Sequence, residues 1–163
     1  IHEPGASNIM SVINQLKLRQ AVSGDIAAIV GLLSDDPLGA KRENPGDPAY
    51  EKAFDAIDKD PNNELWVIEG PDRRVMGILQ LTFIPGLSHT AGWRAQIEGV
   101  RVADELTGQG VGTWFFKQMI ERAREKGVRM VQLTSDKSRK DAIRFYEALG
   151  FSATHEGFKL KFE

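Results

Sequence analysis

The feature that most constrains this sequence is a change of hydrophobic period. Glu64–Glu69, Val75–Ile84 and Arg94–Val102 are three successive strand-like stretches, the first two joined by a Gly70–Pro71–Asp72 turn. Two such runs around a tight turn read as a hairpin, with the third beside it. After Val102 the period becomes four: Val111, Phe115, Met119 and Ala123 fall on one face of a helix that Gly127 closes. Val128–Thr134 reads as a further strand and Lys140–Leu149 as a last helix closed by Gly150. Short strands are expected around Phe151–Ala153 and Phe158–Phe162. Upstream, Gln15–Arg19 alternates as a first strand, and the Ser23–Asp25 cluster caps a helix over 24–34. A second helix starts at Asp47 or Pro48, carries Tyr50, Phe54 and Ile57, and ends at Pro61. Residues 35–48 and 85–92, rich in proline and glycine, are expected to be loops. Strands, helix, strand and helix around one core give an α+β fold with a mixed sheet.

Composition removes most other classes. The 163 residues are 41% hydrophobic and 27% charged, which is ordinary for a globular chain. That length favours one domain, burying about 70% of its unfolded surface. The domain is expected over 10–163. Residues 1–9 precede the first Met and carry Glu3 and Pro4 with no apolar h-region. They are expected to be an appended remnant or an unstructured N-terminus, not a signal peptide. The absence of Cys excludes disulfides, thiolate metal sites and a cysteine nucleophile. It fits a reducing cytosol, and a cytoplasmic location is expected. No apolar run approaches the ~18–20 residues of a membrane helix; the longest nearly uncharged stretch, Val75–Trp93, is broken by Gly77, Pro85, Gly86 and Gly92. With 21 basic and 23 acidic residues and a net charge of −2, no basic block points to nucleic acid.

The informative segment is Gly108–Gln109–Gly110–Val111–Gly112, between the strand ending at Val102 and the amphipathic helix. Three glycines at alternate positions let a ligand approach the backbone, and the helix N-terminus offers N–H groups to an anion such as a pyrophosphate. The alternative is a glycine turn that holds nothing. A Walker loop is excluded because Thr113 and Trp114 follow Gly112, and a Rossmann fingerprint because Thr113 stands where its third glycine would be.

Val102–Ala103–Asp104–Glu105–Leu106–Thr107–Gly108–Gln109–Gly110–Val111–Gly112 resembles the acetyl-CoA signature of the GCN5-related N-acetyltransferases. There an Arg or Gln is followed by two residues, Gly, one residue, and Gly or Ala. Asp141–Ala142–Ile143–Arg144–Phe145–Tyr146–Glu147–Ala148–Leu149–Gly150–Phe151 is similar to the same family's A-x-x-F-Y-x-x-x-G-F ending. The resemblance covers about residues 14–163. It implies a mixed, mostly antiparallel sheet of six to seven strands flanked by about four helices. It also implies acetyl-CoA as cosubstrate, no metal, and transfer of an acetyl group to a primary amine by direct attack in a ternary complex. The amine would belong to a small molecule or peptide, with a homodimer as the assembly and neither nucleic acid nor membrane as partner. A non-catalytic module that only binds or senses CoA is the alternative. Two positions depart from the family pattern: Thr107 stands at the Arg/Gln position, and Arg139 where many relatives carry Asn.

By the resemblance, the strand before the glycine turn binds the pantetheine arm through the backbone of Val100, Arg101 and Val102, with the Val100 N–H polarising the thioester carbonyl. Thr107, Gly108, Gln109, Gly110, Val111, Gly112 and Thr113 would hold the pyrophosphate. Tyr146 is the candidate general acid, since a phenol is protonated at neutral pH and can give its proton to a thiolate. On a helix adjacent residues point about 100° apart, so Phe145 is expected in the core and Tyr146 at its edge. A purely packing role for Tyr146 is the alternative. Glu98 is the candidate base, because in an ideal strand it shares a face with Val100 and Val102, a parity that a bulge would break. A salt bridge of Glu98 to Arg94 or Arg101 is the alternative reading. His89 reads as a solvated loop residue, and His2, His89 and His155 are too dispersed to hold a metal. The 35–60 segment and the Pro85–Trp93 loop would wall the acceptor pocket, where Asp35, Asp36, Arg42 and Glu43 add mixed charge.

Overall fold

The computed structural model describes residues 6–162, with side chains from Met10 onward. By internal contacts the chain divides into two compact units, one ending at Gln132 and the other beginning at Leu133.

In the first unit, α1 (Ala6–Ile13) leads into β1 (Lys17–Gln20), and a 3-10 turn (Ser23–Asp25) opens α2 (Ile26–Leu33). α1 begins inside the 1–9 segment set aside above. Next come α3 (Pro37–Arg42), α4 (Ala49–Lys59), β2 (Asn63–Glu69), β3 (Val75–Ile84), a single turn α5 (Ser88–Ala91), β4 (Arg94–Val102), a second 3-10 turn (Asp104–Leu106), α6 (Val111–Glu125) and β5 (Met130–Gln132). One mixed sheet runs in the order β1-β2-β3-β4-β5, antiparallel except for the parallel β4–β5 pair. The α+β class and the hairpins are as the period predicts.

The sheet has two working faces. Val67 and Ile78 are cross-strand partners on one face, where they join Ala21, Ile29 and Phe54 in a buried cluster under α2 and α4. The other face carries Leu81, Phe83, Ala95 and Ile97, all almost fully buried. Against it lies α6, whose Val111, Phe115, Met119 and Ala123 are buried at the predicted spacing, with Phe116 buried beside them. Glu64 is buried on this second face as the cross-strand partner of Leu81. Its carboxylate accepts from Arg122 Nε at 2.9 Å and from the Trp66 indole at 3.0 Å. Burial pushes Glu64 up, but Arg122, Trp66 and Lys126 outweigh it and hold the carboxyl below its ordinary range. Asp25 is treated similarly: the Arg19 guanidinium, bonded at 2.7 and 2.9 Å, holds it down.

Four expectations are corrected. The sheet has five strands rather than six to seven, because the expected strands at Phe151–Ala153 and Phe158–Phe162 form no ladder among the described residues. Alternation at Phe158, Leu160 and Phe162 is genuine, yet a strand is defined by its hydrogen-bonded neighbour, and these side chains are exposed. The Val128–Thr134 strand shrinks to Met130–Gln132. The 35–48 loop contains α3, which starts where Asp36 accepts from Gly39 N and Pro37 occupies the first helical position. The 85–92 loop contains α5, a turn in which His89, Thr90 and Ala91 adopt left-handed dihedrals.

The second unit holds α7 (Lys140–Ala148). Its C-terminus is a Schellman motif: Gly150, at φ +99°, donates to Glu147 O, and Phe151 donates to Tyr146 O, both at 3.0 Å.

Candidate active site

β4 is paired to β3 along its whole length but to β5 only along Arg94–Gln96. From Ile97 to Val102 its other edge has no strand partner among the described residues. Ala103 donates its N–H to Met76 O at 2.8 Å. Alternation along an antiparallel ladder therefore turns the N–H and C=O of Val102 to that open edge. An extended chain of amides could be received there as an added strand.

Within this stretch the β3–β4 register slips by one residue. Glu98 faces Gln80 and Arg101 faces Ile78, so Gly99 and Val100 together oppose Leu79. Gly99 lies at φ +64°, as a glycine bulge requires. The bulge corrects the parity expected of Glu98. Glu98 now shares its face with Gln80 and Arg101, whereas Val102, the partner of Gly77, lies on the other face. The salt-bridge alternatives for Glu98 are not seen either. Arg101 pairs with Asp36 at 3.2 Å and donates to Val100 O at 2.7 Å, and Glu98 is exposed with no ion pair among the described residues. Around it on the same face lies a polar row. Thr82 Oγ1 donates to Asn63 Oδ1 at 2.6 Å, Gln80 to the same oxygen at 3.2 Å, and Gln132 to Gln96 at 2.9 Å.

β4 feeds through the Asp104–Leu106 turn into the glycines. Thr107 is exposed, its N–H spent on Asp104 O at 3.0 Å. Gly108 lies at φ +76°, and a Cβ built there would meet nothing within 4 Å. Gln109 Nε2 donates to Glu105 O at 2.6 Å, which fixes the turn from inside. Gly110, at φ +77°, is the N-cap of α6, and Trp114 N closes the first turn on Gly110 O at 3.1 Å. The N–H groups of Val111, Gly112 and Thr113 thus lie in the first turn, where a helix offers them no carbonyl. Together with the helix dipole they attract an anion. Arg74 lies beside the turn, bonded to Glu105 at 2.8 Å.

In the second unit, Tyr146 is held by its neighbours. Its ring meets Phe145 edge-on at 5.4 Å and Phe151 at 6.0 Å between centroids. The Schellman hydrogen bond from Phe151 to Tyr146 O explains the spacing of the F-Y-x-x-x-G-F segment: the glycine reverses the chain and lays the Phe151 ring on Tyr146. Phe145 and Tyr146 are both half-buried, so the expected division into core and edge is not what the structure has.

The model of the Acetyltransferase (GNAT) family matches residues 27–151. The chain belongs to the GNAT acetyltransferase family. The aminoalkylphosphonate N-acetyltransferase of Salmonella typhimurium strain LT2 is 29% identical over 110 residues, 68% of this chain and 70% of that protein. A crystal structure described as a transcriptional regulator from Bacillus halodurans C-125 is 47% identical, with TM-score 0.86, covering 90% of this chain and 99% of that one. A structure described as a predicted acetyltransferase with acetyl-CoA, from Clostridium acetobutylicum, shares the fold, with TM-score 0.69 at 18% identity over 90% and 96% of the two chains. This GNAT chain is therefore an acyltransferase by family. No described helix is long and apolar enough to cross a membrane.

Sequence reasoning located β4, the glycine turn before α6 and the last helix, α7. It missed the Gly99 bulge, though a lone glycine inside a strand pattern is the usual sign of one. It also missed Asp36 as partner of Arg101; the Asp36–Pro37 pair, an N-cap followed by proline, signalled the α3 start that positions it.

Proposed function

We propose that this GNAT chain transfers an acetyl group from acetyl-CoA to the primary amine of a small molecule or peptide, both substrates meeting in one ternary complex. The observation that carries the reading is the open edge of β4 from Ile97 to Val102, leading through a short turn to the N-terminus of α6. The pantetheine arm is a chain of amides and suits that edge; the pyrophosphate suits the α6 amides. Gly108 fits the same cosubstrate, since the space its missing Cβ leaves is empty and borders the turn. Bound acetyl-CoA supplies an acyl group on a good leaving thiol.

The residues then divide the work. The Val100 N–H, at the bulge, donates to the carbonyl oxygen as charge develops on it, a contribution of ~3–4 kcal/mol for donors of this kind. Glu98 takes the proton of the amine, directly or through a water, as nitrogen attacks the carbonyl carbon. The C–S bond breaks, and Tyr146 gives its phenolic proton to the departing sulfur. Thr107, Gly108, Gln109, Gly110, Val111, Gly112 and Thr113 bind, with Val100 and Val102 contributing backbone groups; those of Arg101, the ladder partner of Ile78, are turned to β3 by the same alternation. The Salmonella relative supports an amine acceptor, since aminoalkylphosphonates are primary amines. A cytoplasmic location and a homodimeric assembly belong to the same proposal; sedimentation tests the second.

The test is thiol release from acetyl-CoA against a panel of small amines, polyamines and peptides. Amine-dependent release is expected. A second reading, a CoA-binding module that transfers nothing, is favoured by the regulator name of the Bacillus halodurans structure and by Thr107 in place of a long side chain. CoA binding with no thiol release on any amine would establish it.

A further inference from the structure

On the Glu98 face of the sheet, α2, α4 and β3 enclose a slot of about 130 Å³. Ile29, Phe54 and Ile78 form its buried wall, with Leu33 and Ile57 half-buried beside them. Gly99, which is exposed and has no atom within 4 Å of where a Cβ would stand, lines one part of it. Gln80, the cross-strand partner of Glu98, lines it as well. No Lys, Arg, Asp or Glu lines the slot.

Resting on the transfer reading above, we infer that the acceptor is a primary amine carrying a compact apolar group, which enters this slot while the amine stays at Glu98. Size supports the assignment: a cavity of about 150 Å³ walled by Leu, Ile and Phe is large enough to take up benzene. Position supports it too, because Gly99 of the bulge and Gln80, opposite Glu98, line the slot where the reacting end of the acceptor would lie. Charge decides between amine classes. A phosphonate or carboxylate tail needs a cation, and none lines the slot. Of the guanidiniums on this face, Arg94 stands at the far end of β4, five residues from Gly99, Arg19 is paired with Asp25 at 2.7 Å, and Arg101, beside Ile78, is already paired with Asp36 at 3.2 Å. An anionic tail would have to displace that carboxylate, whereas a phenyl ring or short alkyl chain displaces only water.

The experiment is a series of near-equal basicity, methylamine through n-pentylamine, with phenethylamine and 2-aminoethylphosphonate alongside. Affinity is read by calorimetry and kcat/KM by thiol release. Each buried methylene should improve either quantity about fourfold. Phenethylamine should exceed 2-aminoethylphosphonate by at least tenfold. Ala53, exposed on α4 and lining the slot, gives the control. Ala53→Leu fills the slot without burying a polar group and should flatten the series; its unfolding temperature and CoA affinity show that it is folded. A flat series in the unaltered protein, preference for the phosphonate, or a rise untouched by Ala53→Leu overturns the inference. Should the amines bind with the expected rise and none release thiol, the slot stands and the transfer reading fails.

Discussion

The glycine turn can be tested by a substitution that changes charge alone. Gly110→Val is a poor choice: Gly110 caps α6 at φ +77°, where a β-branched residue strains the backbone, so lost binding would not be distinguished from lost structure. Gly108 is better. It also has positive φ, +76°, but it is exposed and nothing lies within 4 Å of a new Cβ. Asn and Asp tolerate this conformation best among residues with side chains, at a cost below the ~1–2 kcal/mol of other L-residues. Gly108→Asn and Gly108→Asp should therefore lose similar, small stability, and they differ by one negative charge. At ~4 Å that charge opposes a phosphate charge by about 1 kcal/mol in water and about 4 at the effective dielectric of a protein surface. The Asp variant should bind CoA about 5-fold to several hundred-fold more weakly than the Asn variant. Calorimetry at low salt measures the ratio. The gap should narrow as salt shortens the Debye length below ~10 Å. Equal affinity of the two folded variants at low salt would refute phosphate binding at this turn.

Three other outcomes follow from the same geometry. Tyr146→Phe should lower kcat by ~10²–10⁴-fold with little change in CoA affinity, and wild-type turnover would leave Tyr146 a packing residue of the Phe145–Phe151 cluster. Glu98→Gln should lose activity most at low pH and regain part of it as rising pH deprotonates the free amine; an unchanged acid limb removes Glu98 from the chemistry. Asp25 and Glu64 are held below their unfolded values, near 3.9 and 4.3, so their contribution to stability is full at neutral pH. It should fade as pH falls through and below about 4, and urea titrations across that range should show Glu64→Gln losing this acid dependence in part.

What the sequence revealed and what it hid have different physical causes. The α6 face was readable because Val111, Phe115, Met119 and Ala123 bury themselves through a period written in the chain. The β2–β3 hairpin was readable because its turn residues are local. The Gly99 bulge was written less plainly: the polar positions run Arg94, Gln96 and Glu98 but then Arg101, and the apolar ones Ala95 and Ile97 but then Val100 and Val102, so the alternation itself slips by one residue at Gly99, and parity counted straight through the glycine misses it. That single slip moved Glu98 from the Val102 face to the Arg101 face, and so moved the base of the reading beside the α2–α4 slot. The tail shows the opposite failure. Phe158, Leu160 and Phe162 carry a strand's pattern, but pattern supplies only one side of a ladder.

The Thr107 position invites the last test. Its side chain is exposed, one residue before Gly108, where the family carries Arg or Gln. A guanidinium there gains a charge-assisted bond to phosphate, which should tighten CoA about 5- to 30-fold at low salt. The structure predicts that the single variant will fall short of this. Glu105 lies two residues away and already holds Arg74, so a new arginine would share its time between that carboxylate and the phosphate. Thr107→Arg combined with Glu105→Gln removes the competitor and also frees Arg74. CoA should then bind more tightly to the double variant than to either single one, and the surplus should shrink with salt. If Glu105→Gln alone gives the full gain, Arg74 is the cation that stands in for the missing family residue. If neither background tightens, the phosphate does not lie at Thr107, and the open edge of β4 must deliver the cosubstrate elsewhere.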